Sequence, residues 1–414
     1  MTGTEPPRFS LSSMNVWRSL RGLPRDVWVL SLASLINRAG TMVLPFLVLF
    51  LTREYGFTAA RAGLVLAVYG VGAILSAPLA GRLSDRIGPL PVMRWSLVST
   101  GVLLLIYPHV RGFSGIVAVT LLWALVAEGF RPASLALIAD VVTPEQRKPA
   151  FALIRLAINL GMSVGPAAAG FIAAESFSLI FVADAVTTIA AGIVLFVTPI
   201  ASVTHVAEPE ETSGMQKLRK LLVLDDPRYI IFLGALFLTC MVFFQHEGPL
   251  SLFLVEDLSL SPAFYGMLFT VNTVMIVFME VPLNAITAHW PHHRALALGA
   301  FFFAAGSGMF AFATGPAVVI AGIVIWTFGE MMIFPQASAY IAEIAPPHRR
   351  GEYMGAYALA FSLAFALAPW AGTVVFAKFG AQTLWLSVFV VGAISAFTML
   401  RVTTEQASET PARA

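Results

Sequence analysis

The stretch "PFLVLFLTREYGFTAARAGLVLAVYGVGAILSAPL", residues 45–79, has a counterpart in "PLSLFLVEDLSLSPAFYGMLFTVNTVMIVFMEVPL", residues 249–283. A shift of 204 positions (249 − 45) superimposes Pro45 on Pro249 and Pro78 on Pro282 without a gap. Farther along, a shift of 203 positions (326 − 123) aligns Trp123 with Trp326, Pro132 with Pro335, Asp140 with Glu343, Arg147 with Arg350 and Pro166 with Pro369. The chain therefore consists of two similar halves.

Both halves are mainly apolar. Of the 414 residues, 58% are hydrophobic and only 12% are charged, whereas soluble domains carry about 25% charged residues. A membrane-spanning helix needs about 20 mostly apolar residues. Stretches of this kind lie near 26–52, 60–82, 91–109, 114–140, 149–174, 177–199, 229–255, 263–286, 294–313, 316–342, 352–376 and 382–400, and we number them spans 1 to 12.

The spans and the repeat together predict an all-α integral membrane protein, with twelve transmembrane helices in two six-helix, pseudo-symmetric bundles. We expect the first bundle within residues 1–200 and the second within residues 228–414. The polar interval between them predicts a cytoplasmic linker over residues 201–227.

The distribution of basic residues predicts the orientation. Of the 25 lysines and arginines, four (Arg53, Arg61, Arg111 and Lys378) fall on one side of the predicted membrane and three (Arg38, Arg131 and Arg155) fall within spans, which leaves eighteen on the other side. Short cytoplasmic loops are enriched in basic residues. We therefore expect a multi-pass protein of the inner, cytoplasmic membrane with both termini in the cytoplasm.

Composition and motifs also predict which partners, cofactors and enzyme activities are absent. A net charge of +2 gives no reason to expect a nucleic-acid partner. The single Cys240 rules out an internal disulfide and a cysteine-clustered metal site. We found no metalloprotease motif, nucleotide-binding loop or nucleophile elbow. We therefore expect no enzyme activity, metal or cofactor, and a monomer whose partners are a small-molecule substrate, protons and membrane lipids.

Two motifs resemble the major facilitator superfamily. After span 2, "GRLSDRIGPLPVMR" (residues 81–94) is similar to the family's loop motif, although prolines replace the usual basic pair. In span 5, "NLGMSVGPAAAG" (residues 159–170) resembles the antiporter motif of proton-coupled drug exporters, and its "INLG" part also resembles proton-coupled peptide importers. The loop "NAITAHWPHHR" of the second half lacks the glycine and the aspartate, and Leu125 stands where exporters often carry a basic residue.

The resemblance implies the major facilitator fold and alternating access, in which a central site opens to each side in turn. It implies a cytoplasmic gate, in which Gly81 would permit a tight helix end and Asp85 would accept hydrogen bonds. Asp140 and Arg155 lie near the same end, where we expect them to pair. The predicted gate residues are Gly81, Asp85, Arg86, Asp140 and Arg155, and the antiporter-motif residues are Gly161, Gly165, Pro166 and Gly170.

Charged residues inside spans mark the candidate site, because a charge near the bilayer centre costs about 2.5 kcal/mol or more unless it faces a cavity or a partner. Glu128 and Arg131 are three residues apart, so a continuous helix would place them on one face as a pair. Pro132 should kink that helix, because it cannot donate to the carbonyl of Glu128, and Pro335 should repeat the arrangement. The predicted proton-coupling residues are Glu128, Glu330, Glu247 and Asp184.

A low-dielectric cavity and a nearby arginine act in opposite directions on the proton affinity of a carboxylate. We therefore expect Glu128 or Glu330 to be the principal proton carrier, with Arg38 or Arg131 as the competing partner. Other polar and aromatic residues of the same spans could contact a substrate. The predicted cavity residues are Asn37, Arg38, Arg131, Gln245, His246, Asn272, Trp326 and Phe334.

These residues predict a proton-coupled secondary transporter. The antiporter motif favours export of amphipathic small molecules in exchange for protons. The alternative is proton-coupled import of short peptides or another small nutrient. Arg38 and the "INLG" segment support this alternative. A receptor is disfavoured by the six-plus-six repeat.

Overall fold

The structure is a computed structural model that describes residue 20 and residues 22–200 and 226–402, and this part of the chain is helical without β-strands. The first six spans are Arg25–Ala39 with Val43–Arg53 (span 1), Ala59–Ile87 (2), Pro89–Ile106 (3), Phe113–Ala127 with Phe130–Val141 (4), Arg147–Glu175 (5) and Phe177–Val197 (6). Span 7 comprises Pro227–Phe243 and Pro249–Leu252, followed by Pro262–Thr287 (8), His292–Met309 (9), Pro316–Ile344 (10) and Arg350–Met399 (11 and 12).

Within the described part of the chain, eleven helical segments are long and apolar enough to cross a membrane. The last of them, Arg350–Met399, has 50 residues and would measure about 75 Å as a straight helix, more than twice the thickness of a hydrocarbon core. It breaks at Gly380, where φ is 82°, a value that glycine adopts readily because it has no Cβ. The break divides the segment into spans 11 and 12, so the predicted twelve transmembrane helices are confirmed.

The outer surface of this bundle is apolar. Val197 and Phe278 are each 73% exposed, and many leucines and valines of other spans are also exposed. A continuous apolar surface of this size is typical of helices solvated by lipid. Most of the predicted linker lies outside the described residues, and its last residue, Pro227, already begins span 7. The proposed bundle boundaries therefore remain a prediction.

Small residues bring the two halves together along two antiparallel helix pairs. In the contact between spans 5 and 8, a Cβ on Gly266 would overlap the carbonyl oxygen of Pro166. Gly170 similarly leaves no room for a side chain against Ala263. In the equivalent contact between spans 2 and 11, Gly70 lies against the backbone of Ala366. Close backbone approach through small residues is a common mode of helix packing in membranes.

These close contacts lie toward the ends of the spans that adjoin the loops at residues 54–58 and 258–261. Toward the opposite end, an ion pair between Arg155 of span 5 and Glu280 of span 8 connects the halves. The Arg155 side chain is 64% exposed there. In the predicted orientation, the protein is thus closed at its outer end and more open toward the cytoplasm.

After span 2, the helix ends at a different glycine from the expected Gly81. The helix continues through Gly81 to Ile87 and ends at Gly88, where φ is 88°. The predicted tight helix end at Gly81 is therefore wrong, because Gly88 supplies the required positive φ. Asp85 is exposed and makes no hydrogen bond or ion pair with the described residues.

Arg94, the last basic residue of the same motif, holds spans 3 and 6 together. Its Nε and Nη2 donate to the carbonyl oxygen of Leu195 at 2.8 and 2.6 Å. That carbonyl lies in the last turn of span 6, which ends at Val197. A cation at a helix C-terminus is stabilising because it satisfies carbonyls without an intrahelical partner.

Candidate functional site

Three spans are interrupted near their middle. Span 1 breaks at residues 40–42, span 4 at residues 128–129 and span 7 at residues 244–248. An interrupted helix leaves backbone groups without partners, which within a membrane are tolerated only where they face protein or a cavity. The breaks therefore indicate where the cavities lie.

The break in span 4 changes the interpretation of Glu128 and Arg131. Glu128 lies just after the helix that ends at Ala127, and a new helix starts at Phe130. The expected pair on one helical face does not form, because no continuous helix aligns the two residues. Pro132 lies in the first turn of the new helix, where a missing N–H costs no hydrogen bond.

Span 10 does not repeat this arrangement. Pro335 lies inside the uninterrupted helix Pro316–Ile344. The prediction that the two prolines kink their helices in the same way is therefore wrong, and the two halves differ at their centres.

A first cavity, which we call the aromatic cavity, has a volume of about 720 Å³ including its open mouth and lies between spans 5, 7, 8 and 10. Phe243 and Trp326 stack in its wall, with ring centroids 5.1 Å apart and planes within 7°. Behind them, the predicted Phe334 packs edge-on against Phe243. The lining residues include Asn159, Met162, Phe243, His246, Tyr265, Phe269, Asn272, Trp326 and Glu330. Both halves contribute, since Asn159 and Met162 belong to span 5.

Glu330 is the acidic side chain in this lining. Its Oε2 accepts a hydrogen bond from Asn272 Nδ2 at 2.7 Å. The same Nδ2 also lies 3.1 Å from Thr327 Oγ1. The structure thus brings the predicted Glu330, Asn272 and Trp326 together, with one carboxylate held at the edge of an aromatic wall.

The break in span 7 places His246 and Glu247 in contact. His246 belongs to a 3₁₀ turn, and its Nε2 lies 3.4 Å from Glu247 Oε1. Its Nδ1 lies 2.7 Å from the carbonyl oxygen of Phe243. Glu247 Oε2 is buried without a hydrogen-bond partner among the described residues. The two residues therefore form one largely buried pair, in which His246 lines the aromatic cavity.

Gln245 occupies a different position from the one predicted. Its Nε2 donates to the carbonyl oxygens of Met241 and Ala368, each at 3.0 Å. These bonds tie span 7 to span 11, and Gln245 lines a crevice with apolar residues of spans 7, 11 and 12. Its placement in the substrate cavity is wrong, because the 3₁₀ turn rotates it away from His246.

A second cavity, the polar cavity, has a volume of about 580 Å³ including its open mouth and lies within the first six spans. Glu128 Oε1 accepts a hydrogen bond from Tyr69 Oη at 2.8 Å, a partner that lies 59 positions away and carries no local signal in the sequence. The lining includes Asn37, Arg38, Tyr69, Thr100, Trp123, Glu128, Arg131, Asp184 and Thr188. Five predicted residues, Asn37, Arg38, Glu128, Arg131 and Asp184, are therefore brought together here.

Asp184 satisfies backbone donors at the break in span 1. Its Oδ2 accepts hydrogen bonds from the backbone N–H groups of Met42 and Val43, both at 3.1 Å. Thr188 Oγ1 donates to Oδ1 at 3.2 Å. A carboxylate at a helix N-terminus satisfies otherwise unpaired donors and interacts favourably with the helix dipole. Asp184 of span 6 thus acts as the cap for the helix Val43–Arg53.

We expect Asp184→Ala to destabilise the protein, because two backbone donors would lose their acceptor in a buried position. The loss of a capping side chain costs about 0.5–2 kcal/mol. Thermal unfolding in detergent should show a lower Tm for Asp184→Ala than for Asp184→Asn, which retains an oxygen acceptor. Equal Tm values for Asp184→Ala and the unchanged protein would contradict the capping role.

The antiporter-motif residues pack span 5 against two neighbours. Gly161 and Gly165 lie against the backbone of Arg38 and Ala39, where span 1 breaks. Pro166 and Gly170 face span 8 instead. The motif therefore acts as a close-packed contact that joins the interrupted span 1 to the interface between the halves.

Of the predicted gate residues, Arg155 bridges the halves, but it pairs with Glu280 and not with Asp140. Arg86 is exposed at the end of span 2. In the second half, Glu343, the counterpart of Asp140, accepts from His292 Nε2 at 2.8 Å. The expected Arg155–Asp140 pair is wrong because span 8 lies closer to Arg155 than span 4 does.

The comparisons with known proteins agree with this architecture. The model of the Major Facilitator Superfamily matches residues 30–254 and 248–414. The chain is 21% identical to a Na(+), Li(+), K(+)/H(+) antiporter of Planococcus maritimus over 81% of this chain and 85% of that protein. It is 26% identical to the quinolone resistance protein NorA of Staphylococcus aureus over 53% and 56% of the two chains.

Among solved structures, a peptide transporter of the POT family superimposes with a TM-score of 0.76 at 16% identity, over 94% of this chain and 98% of that chain. Identity this low shows a shared fold and nothing about the transported molecule. The family match covers almost the whole chain, and the twelve spans and central cavities fit it. The chain belongs to the Major Facilitator Superfamily of transporters.

Proposed function

We propose that this transporter exports amphipathic small molecules in exchange for protons. The observation that carries the proposal is the single carboxylate of Glu330 at the edge of an aromatic cavity to which both halves contribute. A cavity between two halves that rock against each other is where an alternating-access transporter holds its substrate. The antiporter activity named for the relative from Planococcus maritimus supports proton exchange.

The wall of the aromatic cavity suits molecules with flat apolar parts. Aromatic side chains provide large contact areas with few rotatable bonds, and a few polar groups then orient the guest. Here these polar groups are Asn159, Asn272 and Glu330. Such a site can accept different guests of similar polarity, as expected for a broad export function.

Glu330 provides a means of coupling. An ionised carboxylate inside a membrane protein is costly unless it has a partner, whereas a protonated one is neutral. Glu330 can be stabilised by a proton or by a hydrogen-bond donor of a guest, together with the hydrogen bond from Asn272. Because both contacts use the same carboxyl group, the arrival of a proton promotes release of the guest.

Transport in liposomes tests the proposal. The purified protein is reconstituted with a pH gradient across the membrane, and fluorescent amphipathic dyes and dipeptides are offered. We expect the dyes to move against the proton flow in a manner that depends on the gradient. Accumulation of a dipeptide together with the protons would instead establish the import alternative.

A further inference from the structure

Two arginines of the first six spans face cavities without a hydrogen-bond or ion-pair partner among the described residues. Arg38 and Arg131 line the polar cavity. They also line an adjoining space of about 990 Å³, which we call the vestibule. Neither side chain makes a hydrogen bond or an ion pair with the described residues. A guanidinium inside a membrane protein normally has a partner or faces water, so these two are available to a ligand.

The acids of the polar cavity are already engaged elsewhere. Glu128 holds Tyr69. Asp184 accepts from two backbone N–H groups and Thr188. Neither carboxylate lies within ion-pair distance of Arg38 or Arg131. The two positive charges are therefore balanced only at longer range and can still accept an anion in direct contact.

Two unsatisfied hydroxyl groups lie in the walls of the same spaces. Thr100 lines the polar cavity and is 7% exposed, and Ser34 lines the vestibule and is 1% exposed. Thr100 Oγ1 and Ser34 Oγ are both buried, and neither has a hydrogen-bond partner in the part of the chain that the structure describes. A buried polar group without a partner costs about 1–3 kcal/mol. A ligand that accepts hydrogen bonds would remove this cost.

The vestibule and the aromatic cavity are lined by neighbouring turns on one face of span 5. Arg155 and Ile158 of span 5 line the vestibule, and Asn159 and Met162 line the aromatic cavity. One molecule of moderate length can therefore contact both. Its apolar rings would lie against Phe243 and Trp326, and a polar end would reach the arginines.

We propose that Arg38 and Arg131 bind a carboxylate group of the transported molecule, which makes amphipathic carboxylates the substrate class. The proposal rests on the export function proposed above and specifies its cargo. Guanidinium groups pair with carboxylates through two parallel hydrogen bonds. Because Glu128 and Asp184 lie in the same cavity, a guest with one negative charge fits better than a doubly charged phosphate.

Calorimetric titration tests this assignment. The full-length protein is placed in nanodiscs of zwitterionic phosphatidylcholine, so that anionic headgroups do not compete. The probes are 2-naphthylacetate, its neutral amide 2-naphthylacetamide, and inorganic phosphate. We expect the acetate to bind about tenfold or more tightly than the amide. Arg38→Gln combined with Arg131→Gln should remove this difference and leave the affinity for the amide unchanged.

The control variant is Arg25→Gln, which changes an exposed arginine at the start of span 1. It should retain the preference for the acetate. Unchanged binding of the amide shows that the doubly substituted protein is folded. Equal affinity of the unchanged protein for acetate and amide, or full acetate affinity in the double variant, would overturn the proposal. Phosphate that binds as tightly as the acetate would overturn the assignment to carboxylates.

The two proposals fail in different ways. If a neutral dye is exported against a proton gradient but no preference for the acetate exists, the export function stands and the carboxylate site is wrong. If acetate binding depends on the arginines but no transport responds to the gradient, the site stands and proton-coupled export is wrong.

Discussion

Glu330→Gln is expected to reduce transport driven by a pH gradient to the level of protein-free liposomes. Glutamine has nearly the same shape and can still hydrogen-bond to Asn272, which lies 2.7 Å from Oε2 of Glu330, but it cannot take up a proton. The cavity should therefore bind its guest while losing the response to protons. Dye flux with and without a gradient, together with guest exchange at equal pH on both sides, measures the two properties separately.

Two further variants make the Glu330 result specific. Glu256→Gln removes an exposed carboxylate at the end of span 7 and should transport normally. Glu128→Gln tests the other predicted proton carrier, whose hydrogen bond to Tyr69 places it in the polar cavity and away from the aromatic wall. Undiminished gradient-driven transport in a Glu128→Gln and Glu330→Gln double variant would show that neither acid carries the proton.

Gly266→Leu is expected to lower transport by about tenfold or more, because the halves could no longer close at the outer end. A side chain at this position would overlap the backbone of Pro166 in span 5. Overpacking of a tight contact costs about 1–3 kcal/mol, and each 1.4 kcal/mol changes an equilibrium about tenfold. The population should therefore shift toward the state that is open outward.

A cysteine in the vestibule reports this shift. Leu135 lines the vestibule and is 47% exposed. The native Cys240 is buried at 0% exposure, so it should not react. We expect Leu135→Cys to be alkylated more slowly when combined with Gly266→Leu. Gly234→Leu is the matched control, because Gly234 has open space around it. Equal alkylation rates and equal transport in Gly266→Leu would contradict the role of this contact.

The sequence by itself determined the large-scale architecture. Hydropathy gave span boundaries within a few residues of those observed, because a bilayer of fixed thickness demands a minimum apolar length. The two shifts that align the halves predicted the six-plus-six arrangement. The rule that intramembrane charges face cavities located Arg38, Glu128, Arg131 and Glu330 correctly at cavity walls.

Side-chain partners were decided only by the tertiary structure. Glu128 and Arg131 were expected to pair because a continuous helix was assumed, but span 4 breaks between them. Asp184 caps span 1, and no pattern in span 6 shows that a helix N-terminus will lie opposite it. Tyr69 and Thr100 were missed because hydroxyl groups within apolar spans carry no signal of their own.

The sequence predicts the spans but not their contacts, because the length of a helix and its rotation are set by different constraints. The thickness of the bilayer fixes how long each helix must be, and this requirement is written in consecutive residues. The rotation of each helix, its breaks and its neighbours are set by packing against other helices. Contacts such as Arg155–Glu280 and Gly266–Pro166 join residues more than 95 positions apart, and only the assembled bundle brings them together.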